Sequence, residues 1–467
     1  MTSFARLLFA SAIMFQLTVK SLRQCTRRPP AFSTHCLFSS PSSEYDSAQS
    51  SKICIVGGGF AGLYTALKLS NSLTNKDKVE ITLIDPKDKF VFLPLLYELA
   101  VGSASVSEVA PQYDSLFKNS RVKFIRGSVS DINFDENEVK LSDTSEGSIK
   151  YDQLVMAVGA QPRVDMVPGA KEHAMSFYRV EDAFELRLRL KELLDSGKQV
   201  IRAVVLGGGY SGVEVATNIA EYVGKDKAVV SIIDRNEQIL KSSPVNNRVS
   251  SERALAALGV SVNVNTTATK ITESTVHLKA STGEEFEMAA DIVIVTVGME
   301  QSQLVKDISA LKREKFGRIA VSRALQSKDR PNVFSLGDCS GIEGELVPST
   351  AQVAMQQSDI VTKNLLYRIN NYNKEEIITK KSRPDELDKF RYVPLGEMLT
   401  LGNTNAAVTS LNGLVQLQGP LAAVARRLVY AVRMPTSGQQ VNALFSAARS
   451  QATKARDAMK SRGKARN

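Results

Sequence analysis

Three glycines recur twice in this chain, with the same spacing and similar neighbours. "IVGGGFAGLYTALKL" (55–69) puts Gly57, Gly59 and Gly62 at the positions of a G-x-G-x-x-G turn, and "VVLGGGYSGVEVATNI" (204–219) does the same with Gly207, Gly209 and Gly212. In such a turn the first glycine lets the chain reverse, the second lets backbone approach a pyrophosphate, and the third lets helix lie against strand. The free N–H groups of the helix N-terminus then face the phosphates. Asp85 follows Gly62 by 23 residues and Asp234 follows Gly212 by 22, where a carboxylate can accept hydrogen bonds from ribose hydroxyls. A lone fingerprint is often only a turn. Two complete ones, 150 residues apart, imply two bound dinucleotides, one resident and one visiting, with electrons passing between them.

The elements that must position these glycines are legible around them. "KICIVGG" reads as a short buried strand, "GLYTALKLSNSL" as a helix and "VEITLID" as the next strand; "IRAVVLGG", "GVEVATNIAEYV" and "AVVSIID" repeat that order. Each set is a βαβ unit, so the fold class is α/β with two Rossmann-like dinucleotide-binding domains. Short strand-like runs at 122–141 and 260–297 lie between or after them. The mixed charges of 370–392 read as a surface connection.

Composition narrows the chemistry. A 467-residue chain with 43% apolar and 23% charged residues is globular and long enough for two or three domains. The longest apolar run falls short of a spanning helix. Cys25, Cys36, Cys54 and Cys339 have no close spacing and there are three histidines, which argues against a disulfide scaffold, a dithiol redox centre and any metal site. The net charge of +10 is concentrated at the ends. Residues 1–43 carry five basic groups and no acid, and 398–467 carry ten against Asp457 alone, whereas 44–397 hold 44 basic and 48 acidic groups.

Both ends therefore have readings of their own. "LLFASAIMFQLTV" (7–19) behind Arg6 has signal-peptide length, and "LRQCTRRPPAFSTHC" after it has transit-peptide composition, so residues 1–50 read as a targeting segment. Toward the other end, Leu421, Val424, Leu428 and Val432 form one helical stripe with Arg426, Arg427 and Arg433 expected opposite. A second stripe, Val441, Leu444, Phe445, Ala448, Ala452, Ala455 and Met459, follows "MPTSG". Two basic amphipathic helices suit an anionic membrane surface. Nucleic acid is not expected, since no stacking platform accompanies the charge.

Two further stretches make the reading specific. "YDQLVMAVGAQP" (151–162) and "NVFSLGDCS" (332–340) resemble the two-dinucleotide-binding-domain flavoproteins. That resemblance implies FAD on the first fingerprint and NADH or NADPH on the second. It also implies Gly337 and Asp338 at the FAD pyrophosphate and ribityl chain, and Gly159 and Pro162 at the crossover between domains. Gly298 joins these cofactor-binding glycines. Within that superfamily, "FVFLPLLYELAVGSAS" (90–105), "VPSTAQVAMQQSDIVTKNL" (347–365) and "LQGPLAAVARRLVYAVRMPT" (417–436) are similar to type II NAD(P)H:quinone oxidoreductases, notably the cyanobacterial and plastid branch. The basic, Ala-rich tail departs from the family's long helical finish.

The resemblance implies an NAD(P)H dehydrogenase of the two-electron, non-pumping kind that reduces a membrane quinone: plastoquinone, ubiquinone or naphthoquinone. It allows a homodimer, and it favours a plastid (thylakoid) membrane over the mitochondrial inner membrane. Glu214 stands two residues after Gly212, where a buried carboxylate can orient nicotinamide or serve proton movement; a helix-dipole partner is its plainer reading. Gln352 and Gln356 share one helical face, and the family's A-Q-x-A-x-Q motif makes them quinone ligands. Expected boundaries are 1–50 targeting, 51–165 and 301–395 FAD-binding (the latter with the quinone segment), 166–300 NAD(P)H-binding, and 396–467 membrane association. The alternative is a ferredoxin-reductase-like or apoptosis-inducing-factor-like flavoprotein with a soluble acceptor or a redox-sensing role.

Overall fold

"SKICIV" forms the strand β1 (Ser51–Val56), buried along nearly its whole length, as a central parallel strand covered on both faces must be. This computed structural model describes residues 50–75, 77–372 and 386–446. After β1 the chain turns at Gly57, enters the helix α1 (Phe60–Ser72) and returns as β2 (Val79–Asp85). A Cβ at position 62 would lie 1.8 Å from the Gly57 carbonyl oxygen, so the helix closes on its turn only because that residue is glycine. The second unit repeats the device: β3 (Ile201–Leu206), α2 (Tyr210–Val223) and β4 (Ala228–Ile233), with a Cβ at 212 falling 1.7 Å from the Gly207 oxygen.

Each unit nucleates a five-stranded parallel sheet. The first runs in the order Val333–Ser335, Gln153–Met156, β1, β2, Val122–Arg126; the second runs Ser261–Asn263, β4, β3, Ile292–Val295, Met175–Ser176. In both sheets the strand order reverses beside the first strand of the repeat. That reversal opens a crevice at the strands' carboxyl ends, the place where ligands bind in open α/β sheets. The chain passes between the two sheets on a pair of short antiparallel strands, Ala160–Pro162 with Met299–Gln301. Gly159 (φ +66°) and Gly298 (φ +81°) sit at their ends, and the Arg163 N–H donates to the Gly298 carbonyl.

The helix α3 (Ala351–Tyr372) lies along α1. Lys68 fastens the two, donating to the Met355 carbonyl at 3.0 Å and to the Ser358 hydroxyl at 2.8 Å. The stretch read as a surface connection is part core where it is described: Leu387 and Phe390 are buried, and the Asn364 amide exchanges hydrogen bonds with the Asp388 backbone. Three antiparallel strands follow, β5 (Glu397–Thr400), β6 (Ala406–Ser410) and β7 (Val415–Gly419), and then α4 (Pro420–Val432).

The orientation of α4 corrects the sequence expectation. Arg426 and Arg427 are buried, at 1% and 7% exposure, whereas Leu421 and Leu428 of the apolar stripe face outward. Periodicity identifies residues that share a face but not which face packs inward. Here a buried carboxylate, described below, draws the arginines in. The 1–49 part of the targeting segment, and Ala448, Ala452, Ala455 and Met459 of the second stripe, lie outside the described residues. Among the described residues no helix is long and apolar enough to cross a membrane.

Candidate functional site

The two crevices are built alike. In the first, one Asp85 carboxylate oxygen accepts from the Gly58 N–H at 2.7 Å and the other from the Lys87 N–H at 2.8 Å. In the second, Asp234 accepts from the Gly208 N–H at 2.6 Å, and from the Asn236 backbone and side-chain N–H groups at 2.7 and 2.8 Å. Each acid therefore ties the far end of its βαβ unit to the glycine turn. Burial pushes the Asp85 carboxyl above its ordinary range, partly offset by those two N–H donors. Tyr113 completes the first turn by donating from its hydroxyl to the Gly58 carbonyl at 2.7 Å, a role no sequence spacing announces. At the second turn the Tyr210 hydroxyl binds the Ser243 hydroxyl and the Glu397 carboxylate.

The middle glycines test whether dinucleotides fit. A Cβ at Gly59 or at Gly209 would meet no atom of the protein within 4 Å, in contrast to its neighbours in each fingerprint. The chain thus uses glycine there to keep space free in front of a helix N-terminus, which is what an approaching pyrophosphate needs. The Gly337–Asp338 turn adds to the first crevice. Gly337 has φ +77° and its Cβ position lies 3.1 Å from Ala61, so the loop rests on the start of α1. Among the described residues the Asp338 carboxylate has no hydrogen-bond partner, and burial raises its pKa. A half-buried acceptor left open beside the phosphate turn fits a polyol such as the ribityl chain. Both crevices fit the dinucleotides expected of them.

Glu214, on the first turn of α2, is buried, and desolvation pushes its carboxyl up to about 7, opposed chiefly by Arg426. Its Oε1 accepts from the Thr400 N–H of β5 at 2.8 Å and lies 3.6 Å from Arg426 Nη2. Arg426 in turn donates to Glu98 at 2.5 Å and to the Pro94 carbonyl at 2.6 Å. Arg427 donates to the other Glu98 oxygen and to the Ser103 carbonyl. Two guanidinium groups thus face Glu98 and Glu214 in the interior, with the buried Glu108 carboxylate near enough to Arg427 to interact with it electrostatically. Glu98 lies in the quoted 90–105 stretch, but no local pattern reveals its role, because its partners stand more than 300 residues further along the chain.

Gln352 and Gln356 do share a face of α3, and both amides already have partners. Gln352 donates to the Gly396 carbonyl and accepts from the Tyr392 hydroxyl and the Leu395 N–H; Gln356 exchanges two hydrogen bonds with the Val393 backbone. In this conformation they strap the segment 392–396 onto the helix. Neighbouring Gln357, turned away from that face, is the one that reaches the flavin crevice: its Oε1 accepts from the Gly337 N–H at 2.7 Å. The family motif singles out the glutamines at 352 and 356 and so passes over Gln357.

Comparisons with known proteins agree with this geometry. A family model for pyridine nucleotide-disulphide oxidoreductases matches residues 51–358. Demethylphylloquinone reductase NdbB of Synechocystis sp. is 38% identical over 396 residues, covering 84% of this chain and 94% of that protein. Alternative NAD(P)H-ubiquinone oxidoreductase C1, chloroplastic/mitochondrial, of Arabidopsis thaliana is 35% identical over 419 residues, covering 82% of this chain and 78% of that one. In fold, the chain is similar to NDH2 from Plasmodium falciparum solved in complex with NADH, with a TM-score of 0.73 at 18% identity over 86% of this chain and 98% of that chain.

Proposed function

The chain belongs to the pyridine nucleotide-disulphide oxidoreductase family and, within it, to the type II NAD(P)H:quinone oxidoreductases, and from that membership we infer an FAD-dependent enzyme that carries two electrons from NAD(P)H to a membrane quinone. The observation that carries the inference is the pair of open glycine cradles in one chain, each closed behind by its own acid. Relatives named as quinone reductases favour this reading over a soluble acceptor. The name of the Synechocystis relative supports a naphthoquinone and that of the Arabidopsis relative a ubiquinone as the acceptor. The latter also supports an organelle membrane, with the thylakoid preferred here.

Gly57, Gly59, Gly62, Asp85, Gly337 and Asp338 would hold FAD, Gly337 being fixed by Gln357; Gly207, Gly209, Gly212 and Asp234 would hold NAD(P)H. When bound, the flavin supplies a centre that takes two electrons from reduced nicotinamide and gives them to a quinone. The two sheets support a division into an FAD-binding part (51–165 with 301–395) and an NAD(P)H-binding part (166–300). The crossing strands at Gly159 and Gly298 serve as the passage between them.

Glu214 would act at the nicotinamide end. Its folded carboxyl holds a proton more tightly than the unfolded one, whose ordinary value is 4.5. The protonated form therefore favours the fold, and that contribution is lost as pH rises through about 7. In the same window Arg426 and Glu98, with Tyr97 beside them, see the buried charge change. The expected result is a pH profile of NADH-driven flavin reduction with an inflection near 7 that Glu214→Gln removes. An unchanged inflection in that variant would take Glu214 out of the reaction.

Membrane docking would use the outward face of the C-terminal region. Leu421, Leu428, Val441, Leu444 and Phe445 are exposed, and the tail beyond them is basic. Removing the whole region is not a clean test, since Arg426 and Arg427 pair with Glu98. Leu428→Glu combined with Phe445→Glu is. Burying a large apolar side chain contributes about 1.5–3 kcal/mol, so liposome binding should fall by about tenfold or more while turnover with a soluble quinone persists. Wild-type liposome binding by the variant would remove this face from the account.

A further inference from the structure

Three arginines lie in or at the end of α4, and they are treated differently. Arg426 and Arg427 share Glu98. Arg433, the residue that caps α4, is half-buried, yet its guanidinium makes no ion pair and no hydrogen bond among the described residues. Its backbone is held, because the Tyr64 hydroxyl of α1 donates to the Arg433 carbonyl. Its head lies where Tyr430, Tyr64 and Tyr392 act on it electrostatically, while burial lowers its pKa. A guanidinium stays charged in any protein setting, so this is a half-buried cation without a counterion among the described residues.

The surroundings say what it is kept for. The Tyr392 hydroxyl is already given to Gln352, and the amides of Gln352 and Gln356 are given to 393–396. Arg433 is thus a whole guanidinium left over beside the quinone-motif helix, whereas Arg426 and Arg427 are already engaged with Glu98. Just after Tyr392 in the chain, Val393 and Leu395 expose apolar side chains, at 54% and 37%, which suits a hydrophobic ring rather than a hydrated ion. No acid of the described residues pairs with Arg433, so the complementary group must be electron-rich and come from outside.

Resting on the quinone-reductase reading, we propose that the Arg433 guanidinium binds a carbonyl oxygen of the quinone head group, between Tyr64, Tyr392 and Tyr430. Reduction of a quinone to a quinol takes two electrons and two protons. A fixed cation stabilises the negative charge that gathers on that oxygen as electrons arrive, without surrendering a proton of its own. Arg433 is a ligand of the acceptor and has no part in reduction by NAD(P)H.

The test separates the two half-reactions by rapid mixing, with a short-chain soluble quinone and no lipid. Arg433→Gln should keep its flavin and be reduced by NADH at the wild-type rate. Its reoxidation by quinone should slow about tenfold to a hundredfold with a raised quinone KM, the loss expected for one charge-assisted hydrogen bond. Arg433→Lys should recover part of that loss, and it carries the test if the glutamine variant fails to retain flavin. Reoxidation within about twofold of wild type overturns the proposal. So does lost liposome binding with intact soluble-quinone turnover, which would assign the guanidinium to a lipid phosphate. If wild-type protein itself is not reoxidised by quinone, the underlying activity fails and Arg433 with it.

Discussion

Gly209→Val is expected to give a folded, flavin-bearing protein that NADH no longer reduces at a useful rate. Residue 209 has φ −76° and ψ −172°, which a β-branched residue adopts readily, and its Cβ would meet no protein atom within 4 Å. The fold should therefore tolerate the change. The space that valine fills is the space in front of the α2 N-terminus, where the visiting pyrophosphate must come close to backbone. Losing about 3 kcal/mol of binding there corresponds to about a hundredfold in NADH-driven flavin reduction at fixed NADH. Gly59→Val is the mirror experiment, with φ −67° and an equally open Cβ position. It should yield folded protein stripped of flavin. If the 209 variant loses flavin and the 59 variant keeps it, the assignment of the two cradles is reversed. Gly62 and Gly212 cannot serve, because their Cβ positions strike the turn itself.

The second large effect lies away from both cradles. Glu98→Gln takes from Arg426 and Arg427 the carboxylate they share, leaving Glu214, 3.6 Å from Arg426, and Glu108, which acts on Arg427 only electrostatically. Removing one partner of a buried ion pair costs about 3–5 kcal/mol, because the charge left behind has already lost its hydration. Urea unfolding followed by flavin release should show that loss. Replacing the set by apolar residues, Glu98→Leu with Arg426→Met and Arg427→Leu, should recover much of it, since a dry pair and a hydrophobic cluster of similar volume are often close in stability. A Glu98→Gln protein within about 1 kcal/mol of wild type would mean that the cluster is hydrated and less costly to break than its burial suggests.

The contrast between these two experiments separates what could be read from sequence from what could not. The glycine spacing, the acids at 85 and 234 and the Gly337–Asp338 turn are local patterns with local causes, and each βαβ unit folds where its pattern lies. The Glu98 cluster is not local: its carboxylate and its arginines are far apart in the chain, and α4 alone suggests the opposite orientation. Arginine beside an apolar stripe ordinarily points to water. Here two carboxylates on other elements reverse that choice. The glutamines show a finer distinction. Family likeness singles out Gln352 and Gln356, whereas the geometry gives the loop at Gly337 to Gln357, one residue along and on another face.

The same geometry explains why the C-terminal region cannot be regarded as a detachable anchor. Its inward side holds charged partners of the flavin-side loop at 94–103 and of Glu214, while its outward side exposes leucine and phenylalanine. The element proposed to dock on a membrane thereby touches the carboxylate that would meet nicotinamide. This makes Arg426 a positioning residue for Glu214 as well as a structural one.

The central claim, that one chain relays two electrons from NAD(P)H through its own flavin to a quinone, is tested most directly by an anaerobic sequential mix of the purified full chain. Adding NADH should bleach the visible absorption of the bound flavin, and adding a soluble quinone should then restore it, with one quinol formed per NADH consumed. Protein that purifies without flavin, or whose bleached flavin is restored by an oxidised iron–sulfur protein and not by quinone, would contradict the account.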